Sequence, residues 1–359
     1  MTERQFQARM AQYDYSFSPD VIADKPAIPR DSARLLIYDK TRDMIAQDTF
    51  LHLNRYLPSG AVLVFNQTKV IPARLTVTKE TGGKAIITYL ETISGLWKVL
   101  ADRRLTITSK ISIAPGYVCI VEKQEEKYFY LKPLFDEKKR DTIFIRWGTM
   151  PLPPYIHNPH LTEKQKRSYY QTIFATQSGS VAAPTASLHF TPRVLKKLST
   201  QGIDMAYITL HVGLGTFAPL EKHHLIHKKL HEEAYTIDAA TARLLNTALT
   251  TGRPIIPVGT TSLRALESAY QHGHIQSGSA TTHLFITESY RHRVASGIIT
   301  NFHVPRSSLL MLVSSFIGRE KILKLYEYAL NHQYRFFSFG DGMLILSHNQ
   351  TQKNRVSVL

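Results

Sequence analysis

The sequence holds a single cysteine, Cys119, so an intramolecular disulfide is excluded, and no metal-ligand partner stands at usable spacing from it. It sits in the run YVCIV and reads as a small buried hydrophobe. No window offers the roughly 18 uncharged apolar residues of a membrane span. The opening MTERQFQARM lacks the apolar core of a secretory leader. A cytoplasmic location, with no membrane partner, is the expectation. Negative charge is also short: 28 Asp and Glu face 44 Lys and Arg, a formal charge of +16. The first 65 residues are balanced and the excess lies in the rest. That distribution favours a polyanionic partner, nucleic acid first, although no single basic block dominates and solubility alone is the plainer explanation. Repeats and low-complexity tracts are absent.

What is present is enough for a large core: 359 residues, 43% of them hydrophobic, suggest two domains. RLLIYD and AVLVFN read as buried strands, with a helical spacing over Asp48–Leu57 between them and Asp48 as its cap. From Arg74 to Trp147 the texture changes. ARLTVT, KAIITYLE, LWKVLA, KISIA, YVCIVEK, KYFYLKPL and TIFIRW predict seven short strands of a small barrel or sandwich, without a helix. MPLPPYI then demands an extended linker. Helices are predicted over 162–174, 192–201 (capped by Thr191), 238–251, 262–272, 307–317 and 320–331, with buried strands in DMAYITLHV, PIIPVG and GMLIL. The expected fold class is α/β: a sequence-discontinuous α/β domain, 1–70 and 151–359, with an all-β barrel-like domain, 71–150, inserted into it.

Polar, glycine-rich segments follow the strands, where α/β proteins keep their ligand crevices. ITLHV runs into GLGTF, so Gly213 and Gly215 would let a ligand approach the backbone. As a dinucleotide fingerprint this is weak, lacking the third glycine, and a tight turn explains it as well. PIIPV runs into GTTSLRALE, where Thr260, Thr261, Ser262 and Arg264 suit an anionic or carboxylate group, or simply cap a helix. Gln177–Thr191 is small and uncharged over a length that loops rarely reach without a function. Tyr169, Tyr170 and Phe190 could stack on a base or belong to the core. EKHHLIHKKLHEEAY gathers His223, His224, His227, His231, Glu232 and Glu233. His227 and His231 could share a helix face and bind a metal, but no further ligand is placed by spacing. A His231–Glu233 pair for proton transfer is more attractive, beside the plain alternative of a solvated charged face. Asn301, His303 and Arg306 precede a buried helix. Tyr334, Arg335 and Asp341 precede the last strand, where a carboxylate at Asp341 needs a partner, structural or catalytic.

In order along the chain, FNQTKVIPARL, TGGK, MPLPPYI, YQT, GSVAAPTASLHFT, TLHVGLGTF, HEEAY, VGTTSLRALES, ITNFHVPRSSLLMLVSSFIG and YRFFSFGDGMLIL closely resemble the S-adenosylmethionine:tRNA ribosyltransferase-isomerases of queuosine biosynthesis. The resemblance runs from near Tyr13 to Leu346. It implies transfer and isomerisation of the ribosyl group of S-adenosylmethionine onto 7-aminomethyl-7-deazaguanine at the wobble position of a tRNA with a GUN anticodon. Epoxyqueuosine-tRNA is formed, and adenine and methionine leave. It also implies S-adenosylmethionine as co-substrate, with no bound cofactor and no metal, and a monomer is expected. The chemistry then nominates His231, Glu233 and Asp341 as acid–base groups and Arg264 with Thr260–Ser262 for the methionine carboxylate. Gly213, Gly215, Thr216, Ala183, Pro184, Thr185, His189, Asn301 and His303 become substrate contacts, and Lys69 and Arg74 tRNA contacts. Five positions depart from the family pattern: Ser296 for an acidic residue, Glu288-Ser289 for Pro-Gly, Gln67, and Leu230 for Met. Ser296 is the departure expected to matter most. Two other readings compete, a non-catalytic RNA-binding platform and an S-adenosylmethionine-dependent methyltransferase.

Overall fold

The computed structural model describes residues 1–213 and 220–347. Three apolar strands, Val62–Asn66, Asp204–Leu210 and Ile255–Pro257, run parallel with Val62–Asn66 in the centre. Their near-continuous apolar character suits strands covered on both faces. Lys229–Ile237 and Gly278–Leu284 extend this sheet antiparallel on the Asp204–Leu210 side. A second sheet has the order Gly297–Asn301, Gly342–Leu346, Arg34–Asp39, Met44–Thr49, in which only the central pair is parallel. A parallel bridge between Val258 and Ile299 joins the two sheets edge to edge. Four strands therefore point their carboxyl ends the same way, ending at Asn66, Leu210, Pro257 and Asn301.

Six strands between Arg74 and Pro133 close into an antiparallel barrel around Trp97, Val99, Ile87 and Cys119. Burial pushes the Cys119 thiol up to about 12, as expected of an inert buried side chain. The seventh expected strand, TIFIRW, is instead a helix, Arg140–Trp147. Its burial shows why: adjacent Ile143 and Phe144 both enter the barrel core while Ile145 is 63% exposed, a pattern that alternation cannot produce. Phe144 packs on Tyr89 and Trp97 at 5.0 and 5.3 Å. Arg74 and Thr149 exchange both backbone hydrogen bonds, at 2.8 and 3.2 Å, where the chain enters and leaves this unit. Beside them a Cβ on Gly148 would stand 1.9 Å from the Pro72 carbonyl oxygen, so only glycine fits.

Elsewhere the helices shift by a few residues. Asp48–Leu57 is a 3-10 stretch, Phe50–Arg55, and the Asp48 carboxylate accepts from the Thr49 amide at 2.8 Å, His52 at 2.7 Å and Tyr56 at 2.9 Å. Thr191 stands at the cap of helix Pro192–Thr200, but its hydroxyl donates to Asp31. The histidine-rich segment breaks in two: helix Lys222–His227 stops at Lys228, which has a left-handed backbone (φ 52°), and strand Lys229–Ile237 follows. His227 and His231 therefore share no helix face. Helix Thr260–Ala269 begins immediately after Gly259, whose φ of 89° makes the strand-to-helix turn. Among the described residues no helix is long and apolar enough to cross a membrane.

Candidate active site

Asn66, fully buried, ties the strand ends together. Its amide nitrogen donates to the Leu210 carbonyl at 2.9 Å and to Thr261 Oγ1 at 3.3 Å, while its oxygen accepts from the Thr68 and Leu210 amides, each at 3.1 Å. Sequence reasoning missed it, although an Asn closing an apolar strand was a usable signal. Outside these strand ends lies a hollow in two adjoining parts. The larger, of about 340 Å³, is walled by Ala182–Ala186, Gly259–Thr261 and Thr300–Leu309, with Tyr155 and Phe337. The smaller, of about 40 Å³, shares Thr260, Thr261, Ser308 and Leu309 and adds Gly213, His224, Leu230, His231, Glu233 and Arg264.

Most nominated residues meet here. Ala183, Pro184 and Thr185 line the larger part with Asn301 and His303. Thr185 donates to Asn301 Oδ1 at 2.8 Å. The Asn301 amide donates to His189 Nε2 at 3.2 Å. His189 stacks on Phe50 behind that amide, so it supports the wall without forming it. Burial holds His189 and His303 down at about 3, so both imidazoles are neutral near pH 7. Thr260 and Thr261 face both parts. No side chain caps their helix, leaving its first-turn amides at the wall.

The small part collects the charged groups. Arg264 on the helix and Glu233 on the strand, both nearly buried, form an ion pair, and Arg264 Nε donates to the Leu284 carbonyl at 3.0 Å. Glu233 is thus engaged by Arg264, and the expected direct pairing of Glu233 with His231 is replaced by two groups that face the same pocket. His231 arrives there because the pairing with Gly278–Leu284 slips between Lys229 and Glu233, a bulge that re-aims the intervening side chains. Burial, then Lys127 and His223, lower the His231 imidazole below its ordinary value. His224, passed over as one member of a charged run, also lines this part.

Other nominated residues lie elsewhere. Ser262 turns inward, its hydroxyl donating to the Val258 carbonyl at 3.0 Å, because the third helical position faces the sheet. Asp341 does not line the hollow. Its carboxylate accepts from the Arg34 and Arg335 backbone amides at 2.9 and 2.8 Å and so clamps two chain segments, the structural one of the two partners expected for it. Gly215 and Thr216 lie outside the described residues. Lys69 and Arg74 are exposed and do not line the hollow. Tyr170 and Phe190 belong to the core. Ser296 stands at the opposite end of strand Gly297–Asn301 from Asn301, about 16 Å from the hollow by strand rise. Leu230 alone among the departures lines it.

A pocket outside the carboxyl ends of parallel strands, holding neutral imidazoles beside a buried guanidinium–carboxylate pair, has the form of an enzyme's ligand crevice. A family model described as queuosine biosynthesis protein matches residues 10–345. A Thermosynechococcus vestitus protein named S-adenosylmethionine:tRNA ribosyltransferase-isomerase is 43% identical over 342 residues, covering 93% of this chain and 95% of its own. An Aquifex aeolicus protein of the same name is 41% identical over 341 residues, covering 94% and 100%. The crystal structure of S-adenosylmethionine tRNA ribosyltransferase from Thermotoga maritima matches with a TM-score of 0.53 at 30% identity, covering 93% of this chain and 100% of that one. The chain belongs to the queuosine biosynthesis family, that of the S-adenosylmethionine:tRNA ribosyltransferase-isomerases.

Proposed function

We propose that the hollow receives S-adenosylmethionine beside a 7-aminomethyl-7-deazaguanine at the wobble position of a tRNA with a GUN anticodon. The ribosyl group passes to the aminomethyl arm and is isomerised, giving epoxyqueuosine-tRNA with release of adenine and methionine. The observation that carries this reading is the convergence of the 182–186, 259–264, 300–309 and 231–233 segments on one two-part hollow. Its larger part has room for a nucleoside, and its smaller part holds the ionic groups.

The residues divide the work by chemistry. The sulfonium carries its own positive charge, so methionine departs as a neutral thioether once a proton beside the sulfur is removed. A neutral imidazole suits that removal, and His231 has one, its Nε2 buried and without a partner among the described residues. Protonation of departing adenine needs a donor in the same water-poor space. Arg264 and the bare amides of Thr260 and Thr261 suit the methionine carboxylate. Asn301, fixed by Thr185 and His189, offers the ribose hydroxyls a rigid amide. Lys69 and Arg74, with the general positive charge, hold the tRNA backbone. The reading also takes the enzyme as a cytoplasmic monomer with S-adenosylmethionine as co-substrate rather than resident cofactor.

Incubation with S-adenosylmethionine labelled in the ribose and a tRNA bearing the aminomethyl-deazaguanine tests this. Adenine release with label on the tRNA is the expected result. Formation of S-adenosylhomocysteine would make the chain a methyltransferase, and tight tRNA binding without turnover would leave only an RNA-binding platform.

A further inference from the structure

Six buried side-chain polar atoms have no hydrogen-bond partner among the described residues, and three of them, His224 Nε2, His231 Nε2 and Arg264 Nη2, belong to residues lining the 40 Å³ pocket. Buried polar groups are ordinarily satisfied, so three orphans on one small pocket mark a space shaped for a ligand's polar atoms. His224 and Arg264 are 3% and 6% exposed, so water does not meet their needs from outside. The polarity of His224 follows from geometry. The Glu221 backbone amide donates to its Nδ1 at 3.0 Å, so in the neutral ring the proton sits on Nε2, which must donate. Burial, then the neighbouring His223 and His231 rings, hold the imidazole at about 4, which keeps it neutral at pH 7. The His231 ring stands edge-on at 4.9 Å.

The two donors, His224 Nε2 and Arg264 Nη2, would by themselves describe an anion site, yet Glu233 shares the pocket and is paired to Arg264. A bare anion would meet that carboxylate. A zwitterion would not, since its cation faces Glu233 while its anion faces the orphan donors. The size agrees in kind, since about 40 Å³ admits a few small polar groups and no nucleoside. The adjoining 340 Å³ space is then left for the nucleoside.

Resting on the reading above, we infer that the small pocket is the receptor for the zwitterionic amino-acid head of the sulfonium substrate. His224 Nε2–H and Arg264 Nη2 grip its carboxylate, and Glu233 faces its ammonium. His224 is thereby a substrate-binding residue that selects for the carboxylate and takes no part in the bond-breaking steps.

The test is the affinity ratio between S-adenosylmethionine and its decarboxylated analogue, measured by calorimetry for the wild type and His224→Ala. The wild type should prefer the carboxylate-bearing ligand by about 10²-fold or more, as two hydrogen bonds to a charged group would give, and His224→Ala should shrink that preference about tenfold or more. A wild type that binds both ligands equally, or a folded variant with an unchanged ratio, overturns the inference. Should His224→Ala melt far below the wild type, competition in the wild-type enzyme decides: methionine must inhibit at least about tenfold better than 3-(methylthio)propylamine, and equal inhibition overturns the assignment. If the wild type neither binds S-adenosylmethionine nor releases adenine, the proposed function falls and takes this inference with it. That result is distinct from an active enzyme with no preference.

Discussion

Replacing Asp341 separates stability from catalysis. Its carboxylate, 1% exposed, joins the start of strand Arg34–Asp39 to the loop before the last strand through two backbone amides, with the Arg335 guanidinium at 3.4 Å. Asp341→Ala leaves both amides buried without an acceptor, at about 1–3 kcal/mol each, so a loss of roughly 2–6 kcal/mol is expected. Asp341→Asn keeps one acceptor oxygen and should lose about half of that. The Asp341 carbonyl also receives the Asn301 amide at 3.5 Å, so a loosened clamp reaches the hollow through Asn301 and should raise KM before it lowers kcat. Urea unfolding followed by fluorescence gives the stability term, and adenine release at saturating tRNA gives kcat. An Asp341→Asn enzyme of wild-type stability with turnover reduced about 10²-fold would refute the clamp and restore a catalytic role.

Further outcomes follow from the same geometry. His231→Ala should lower turnover by about 10²-fold or more in a folded protein, and wild-type rates would remove its assignment; Glu233→Ala, which leaves Arg264 without its ion-pair partner, should raise the KM for S-adenosylmethionine, and an unchanged KM would remove Glu233 from the binding pocket. Because the folded His231 pKa lies below its ordinary value, its basic form persists as pH falls; the wild-type rate should stay level through neutrality and drop only below the usual histidine range, and a drop already near pH 7 would contradict this. His189 and His303, held near 3 while free histidine titrates near 6.5, let the unfolded chain bind protons that the folded one refuses. Stability should therefore be full above about pH 6.5 and decline toward pH 3, by up to about 1.4 kcal/mol per pH unit for each, and the His189→Gln protein should show a shallower decline in acid denaturation. A Lys69→Ala, Arg74→Ala pair should weaken tRNA binding and flatten its salt dependence by about one to two charges, and an unchanged slope would place the RNA elsewhere.

The strand framework and the loops that converge were legible because they rest on local signals: apolar runs ending in glycine-rich turns. TIFIRW misleads because its β-branched and aromatic residues favour a strand, and only the barrel interior, which takes Ile143 and Phe144 together, decides for helix. The site was legible as a set of loops and illegible as a set of pairs. Glu233 and Arg264 are 31 residues apart and meet only because a bulged strand lies against helix Thr260–Ala269. Asp341 showed itself in the sequence as a carboxylate that needed partners. Which partners, the amides of Arg34 and Arg335, depends on the parallel pairing of the first and last strands of the second sheet. His224 looked like one charge among many until the backbone amide of Glu221 committed its Nδ1.

The reciprocal hydrogen bonds of Arg74 and Thr149 bring both crossings of the barrel to a single point. The main sheet is therefore complete without a strand from the intervening seventy-odd residues, and the barrel meets the rest of the protein also at Val181, which enters its core, and through the Lys127–Glu221 ion pair. A short turn spliced from Arg74 to Thr149 would take the barrel away without removing a strand from either of the two α/β sheets.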